Sequence, residues 1–354
     1  MDLVVLAIAL VIILMGAELF TNGIEWFGRK LQLAEGAVGS VLAAVGTALP
    51  ETMIPIIAIL FATSEASHAV GVGAILGAPF MLATLAMFVT GVAVLAVASR
   101  RRPPGDIMRV DTKVLGHDMR YFAIAYAIAI GAAFLPLEPT WPKWIVAAVL
   151  LGIYAWYVRG HFQADASVDV EDLPPLRFRK LDRRAHSADP ETPRLRVVNL
   201  QVLAALGLII LGAVFFVDAV ENLASTFGID EALLALVIAP IATELPEKFN
   251  SIIWVRQGKD TLAMGNITGA MVFQSTIPTI VALLFASDAW RIEQGSYVVF
   301  ASAGMAFLSS AIIFVPMARS GQLRGRRLLL GGIFYLAYLA LVIAVVMGAL
   351  GEFS

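Results

Sequence analysis

The chain reads as an all-α integral membrane protein, with ten transmembrane helices arranged as two inverted five-helix repeats. Three observations predict this. The 354 residues are 59% hydrophobic and only 15% charged, whereas soluble domains run at about 45–50% apolar and about 25% charged. Ten apolar segments of membrane length follow one another along the chain. A six-residue motif containing proline and glutamate occurs twice, at a separation of 196 residues.

A spanning helix needs about 20 mostly apolar residues. The qualifying segments run roughly 3–27, 37–62, 69–98, 120–136, 142–160, 198–222, 232–256, 262–286, 294–316 and 327–350, and are called spans 1 to 10. Span 1 opens straight after Asp2 with no basic stretch before it, so it is expected to be a retained helix and not a cleaved leader. Span 2 carries the first copy of the motif, GTALPE, which ends at Pro50 and Glu51. Span 3 is long enough to tilt or to run past the bilayer. Span 7 carries the second copy, ATELPE, which ends at Pro246 and Glu247.

Charge sets the orientation. Of the 25 lysines and arginines, all but Lys143, Arg291 and the intramembrane Lys248 fall in the loops after spans 1, 3, 5, 7 and 9. By the positive-inside rule those loops face the cytoplasm, so both termini lie outside a plasma (inner) membrane. One span too many or too few would scramble this alternation. Between spans 5 and 6 lies the only long polar segment, 161–198, which separates a first repeat (1–160) from a second (199–354). It runs from an acidic stretch (Asp165, Asp169, Glu171, Asp172) into prolines and basic residues, and is expected to be a flexible cytoplasmic connection. Its acidic spacing is not that of an EF-hand loop.

Several function classes drop out. There are no cysteines, hence no disulfides, thiolate ligands or cysteine nucleophiles. The four histidines fall in predicted loops or at span ends, which argues against an intramembrane zinc site. Nothing suggests nucleic-acid binding or a bound cofactor. Gly-x-Ser-x-Gly, His-Glu-x-x-His and paired-aspartate motifs are missing. An intramembrane enzyme using Glu51 and Glu247 as acid and base is therefore a remote alternative.

The duplication extends beyond the six residues. The offset of 196 also aligns Gly16 with Gly212, Glu25 with Glu221, Glu35 with Glu231 and Thr47 with Thr243. GAILGA, from Gly73, matches GNITGA, from Gly265, at an offset of 192. Five spans per copy is an odd number, so the second copy enters the membrane from the opposite side, as in many secondary transporters.

A carboxylate at bilayer depth costs about 2.5–3.5 kcal/mol on insertion scales and marks a functional site by default. Proline lacks an N–H and clashes with the carbonyl four residues back, so Pro50 is expected to free the carbonyl of Gly46, and Pro246 that of Ala242. Each kinked turn would then offer a carboxylate (Glu51, Glu247), a hydroxyl (Thr47, Thr243) and bare carbonyls (Gly46, Ala242). These are hard oxygen donors of the kind calcium takes, about six to eight at a time. Glu244 adds a third carboxylate three residues before Glu247. Lys248 stands four residues from Glu244, so it pairs with that carboxylate, snorkels, or lines a water-filled path. Gly71, Gly73, Gly77, Gly265 and Gly269 are expected to let helices approach closely. Glu18, Glu25, Asp218 and Glu221 are expected to be solvated helix ends, or else entrances to an ion path.

With these motifs in view, the chain resembles the calcium:cation antiporter superfamily, the sodium/calcium exchangers and their prokaryotic ten-helix relatives. GTALPE and ATELPE fit the family pattern G/A-T-S-x-P-E. The resemblance implies alternating access, with helices 1 and 6 sliding as gates past a fixed core. It implies a site in which Glu51 and Glu247 are the central carboxylates, with Thr47 and Thr243 supplying oxygens. The chain departs from the family at the serine of the first pattern, which is Ala48 in one copy and Glu244 in the other. The second pattern, G-S-N-x-x-N/D, is replaced by Ala78-Pro79-Phe80-Met81-Leu82 and Ala270-Met271-Val272-Phe273-Gln274. Its ligand positions thus become Leu82 and Gln274, and only Gln274 can donate an oxygen. The expected function is a secondary active antiporter exporting calcium, driven by sodium entry. The alternative is proton coupling, or another divalent cation. Its partners would be inorganic cations and the lipid bilayer.

Overall fold

The computed structural model describes residues 2–30, 49–61, 64–101, 103–164, 174–181, 193–243, 245–293 and 296–348. The chain is helical almost throughout. Span 1 is α1 (Asp2–Lys30). Span 2 contributes α2 (Leu49–Leu60), its earlier part lying outside the described residues. Span 3 is one long rod: α3 (Glu65–Met81), a π-helical turn (Leu82–Ala86) and α4 (Met87–Ala96). Spans 4 and 5 are α5 (Thr112–Gly131) and α6 (Trp141–Ala164). Span 6 is α7 (Leu195–Phe227). Span 7 is described as α8 (Glu231–Thr243) and α9 (Leu245–Gln257), with Glu244 between them outside the described residues. Spans 8 and 9 are α10 (Asp260–Phe285) and α11 (Tyr297–Ser320). A short turn, α12 (Gly325–Leu328), precedes span 10, α13 (Leu330–Val346).

The ends follow local chemistry. Ser64 caps α3 by accepting the Ser67 N–H at 2.9 Å, and Asp111 caps α5 by accepting those of Lys113 and Val114. Gly228 ends α7 and Gly321 ends α11 in the left-handed conformation, φ 64° and 66°.

Among the described residues, seven helices are long and apolar enough to cross a membrane. The ten expected spans differ from these seven at three places. Span 2 is described only as the short α2, and span 7 only as the helical stretches on either side of Glu244. Span 4 begins earlier than hydropathy suggests, because the polar turns around Lys113, His117 and Arg120 are already helical.

Two bodies of packing stand out. α1 and α7 lie against each other through small residues: a Cβ on Gly16 would sit 3.1 Å from the Ala205 carbonyl, and one on Gly212 would sit 3.0 Å from that of Ala9. The larger core is shared by α3, α4, α5, α6, α10, α11 and α13. Within it α3 is pressed onto α8. A Cβ on Gly73 would stand 2.0 Å from the Ala232 carbonyl, and one on Gly77 2.5 Å from that of Leu236. Only glycine permits that approach. The expectation for this stripe holds in the first copy. In the second it does not: among the described residues nothing comes within 4 Å of a Cβ on Gly265, and Gly269 meets only the Tyr157 hydroxyl at 3.5 Å.

The predicted cytoplasmic side of this core is cross-tied. Residues Ile107–Met108 (β1) pair antiparallel with Leu323–Arg324 (β2), joining the loop after α4 to the one after α11. Asp260, at the start of α10, takes a buried ion pair from Arg101 and the Arg109 N–H at 2.7 Å.

The linker is not wholly a flexible connection. Leu176 is buried beside Trp26 and Val198. The Pro174 carbonyl accepts from Asn22 and from the Trp26 indole at 2.9 Å, and the Arg177 N–H donates to Asn22 at 3.0 Å. Gln201 of α7 bonds Asn22, the Leu19 carbonyl and the Phe178 N–H. These bonds satisfy two buried amide side chains that would otherwise each cost about 1–3 kcal/mol.

Candidate cation site

Leu-Pro-Glu lies within α2 in the first copy and within α9 in the second. The residues just before Leu49, and Glu244, lie outside the described residues, so the kinks expected at Pro50 and Pro246 fall at the edge of what the structure describes. The freed carbonyl of Gly46, together with Thr47, lies outside the described residues. Ala242 belongs to the last turn of α8, one residue before its end at Thr243. Glu244 lies outside the described residues, and Glu247 and Lys248 are described only as residues of α9.

Glu51 is 5% exposed. It lies on α2, and a carboxylate so buried needs hydrogen bonds, an opposite charge or a cation to offset its lost hydration. The next residue, Thr52, is buried too, and motif reasoning passed over it.

Thr243 is buried and donates its hydroxyl proton to the Ala239 carbonyl at 2.9 Å. Its oxygen keeps its lone pairs for an electrophile. Gln274 is 2% exposed on α10. α2 packs against both α8 and α10, so the helices bearing Glu51, Thr243 and Gln274 adjoin. Near Gln274, Ser275 donates to Val272 at 3.0 Å and Thr276 to Val272 at 2.8 Å, so these hydroxyls are held along their own helix. Among the described residues no group of three or more Asp, Glu or His side chains closes around a common point.

In the first copy the equivalent of Gln274, Leu82, is 2% exposed within the apolar core. It begins the π turn, a feature often met at functional sites. Here its carbonyls are taken up internally: Ser309 donates to Ala83 at 2.6 Å, and Thr84 to Phe80 at 2.6 Å.

Two polar clusters were not foreseen as such. Asp118 on α5 is 1% exposed and accepts from Thr268 of α10 at 2.6 Å and from Tyr157 of α6 at 3.2 Å. Glu221, expected to be a solvated end or an ion entrance, is half-buried and accepts hydrogen bonds from Ser64 and Ser67 of α3. Glu18 pairs with Arg177 at 2.5 Å, both side chains exposed. At the same end as Glu221, a recess of about 400 Å³ is rimmed by Glu65, His68, Asp230, Asp288 and Glu293. Such a rim concentrates cations.

Residues 1–162 and 198–347 match the family described as sodium/calcium exchanger protein. The candidate antiporter CaxA of Alkalimonas amylolytica is 25% identical over 333 residues, 93% of this chain and 95% of that protein. The inner membrane protein YrbG of Escherichia coli is 24% identical over 272 residues, 77% and 76% of the two chains. Among solved structures, the H+/Ca2+ exchanger CAX aligns with a TM-score of 0.69 at 17% identity, covering 99% of this chain and 89% of that one. The sodium-calcium exchanger NCX_Mj aligns at 0.57 and 17%, covering 96% and 98%.

Proposed function

This chain belongs to the sodium/calcium exchanger family, whose members are transporters and not enzymes, and we propose that it exports calcium in exchange for sodium by alternating access. The observation that carries the proposal is the buried Glu51 of α2, a helix adjoining those of Thr243 and Gln274. A carboxylate buried beside neutral oxygen donors is a cation's counter-charge. Glu247 of α9 is the counterpart of Glu51 in the second copy of the motif and completes the proposed pair. Glu244 and the carbonyls of Gly46 and Ala242 are the remaining proposed donors, with Thr47. The likeness to a candidate antiporter over nearly the whole of both chains supports this reading.

The moving part is then the α1–α7 pair. Its two helices adhere to each other through Gly16 and Gly212, so they slide together against the cross-tied core. In proteoliposomes, calcium-45 uptake is expected to follow an outward sodium gradient. It is expected to be lost in Glu51→Gln and in Glu247→Gln. Undiminished uptake in both variants would remove these residues from the mechanism.

Proton coupling is the second reading, and Leu82 favours it. A leucine at a ligand position removes an oxygen that a sodium ion would need, whereas a proton needs only a carboxylate. Uptake driven by a pH gradient without sodium would establish proton coupling, and strict sodium dependence would eliminate it.

A further inference from the structure

Glu221 lies on α7, a helix of the moving pair, and Ser64 and Ser67 lie on α3, in the core. The Ser64 hydroxyl donates to Glu221 Oε1 at 3.2 Å, and the Ser67 hydroxyl donates to the same oxygen. The two hydroxyls also touch each other at 2.5 Å. Ser67 is 2% exposed, and Ser64 is fixed as the cap of α3. With one proton on each hydroxyl, the three oxygens share two hydrogen bonds at a time, and the carboxylate meets a preformed hydroxyl pair that keeps a proton for it.

Below this point the contact between the two bodies is apolar. Val70 and Ala74 of α3 belong to one buried cluster with Val217 and Val220 of α7. Apolar contact is non-directional and lets surfaces slip. A hydrogen bond to a carboxylate demands distance and angle and is about twice as strong as a neutral one. The sliding surface is thus smooth over most of its length and has a directional catch at one end.

We propose that Glu221, Ser64 and Ser67 are positioning residues that latch the gate shut at the predicted outer face, and that the latch must open for the site to face outward. This rests on the alternating-access reading above and adds to it the group that biases the two states. Removing one charge-assisted bond shifts the equilibrium toward the open form by about tenfold.

The chain has no cysteine of its own, so Val70→Cys, buried one turn below Ser67, is the sole thiol. A membrane-impermeant maleimide applied from outside is expected to label it slowly. In the Ser67→Ala and Glu221→Gln backgrounds labelling is expected to be about tenfold faster. Glu221→Gln keeps the side chain's size, which separates loss of the catch from loss of the fold. A Ser67→Cys/Glu221→Cys pair, oxidised, is expected to stop calcium-45 uptake until it is reduced. Labelling rates equal to those of the parent in both backgrounds, or full uptake by the oxidised pair, would overturn the latch. The labelling ratio reads the latch whether or not Glu51→Gln abolishes uptake, so the two proposals fail separately.

Discussion

α3 and α10 carry the two copies of one glycine-rich motif, yet they have become opposite kinds of surface. α3 is buried on nearly every side, presses Gly73 and Gly77 against backbone carbonyls of α8, and puts Leu82 where α10 has Gln274. α10 carries buried Thr268, Gln274, Ser275, Thr276 and Thr279. Its glycines, among the described residues, touch almost nothing. The two copies thus differ in kind: one grips by shape and the other carries buried polar side chains. The proposed site, if it lies between them, would take most of its side-chain oxygens from α10.

The sharpest way to break this contrast is Gly73→Ala. Its methyl would meet a carbonyl it cannot displace, and the expected loss is about 3 kcal/mol, read as a drop in thermal midpoint of the purified protein. An unchanged midpoint would mean that α3 does not grip α8. Next comes Leu82→Asn, which places an unsatisfied amide in the apolar core and costs about 2 kcal/mol. Calcium should not restore that stability; if it does, Leu82 lines the cation path after all. Gln274→Leu makes α10 resemble α3 and is expected to slow calcium-45 uptake about tenfold while leaving the thermal midpoint nearly unchanged. The smallest effect belongs to Gly265→Ala, which should stabilise by about 0.5–1 kcal/mol through helix propensity alone. A destabilising result there would reveal a close neighbour.

Much of the architecture could be read from hydropathy, because long apolar segments announce themselves whether lipid or protein covers them. Spans 1, 3, 5, 6, 8, 9 and 10 all correspond to long apolar helices. Hydropathy is blind where a helix carries charged and polar residues in its first turns. α5 begins with charged residues, so Asp118 seemed to precede the span, yet Leu115, Asp118, Phe122, Ala125 and Ala129 form one buried helical stripe. That periodicity, not the mean hydropathy, was the signal for it. Of the proposed site, Glu51, Thr243 and Gln274 are buried, while Thr47 and Glu244 lie outside the described residues. The partners of Glu221 were not legible, since a sequence shows that a carboxylate exists but not which distant cap will receive it.

The fit of Gly73 and Gly77 against Ala232 and Leu236 carries a consequence for biogenesis. α3 leaves the ribosome before α8, and at ordinary elongation rates the interval is on the order of ten seconds. Through that time the notched face of α3 has no mate within the nascent chain. The first half consequently enters the bilayer unfinished and is completed only when the second half is threaded in beside it.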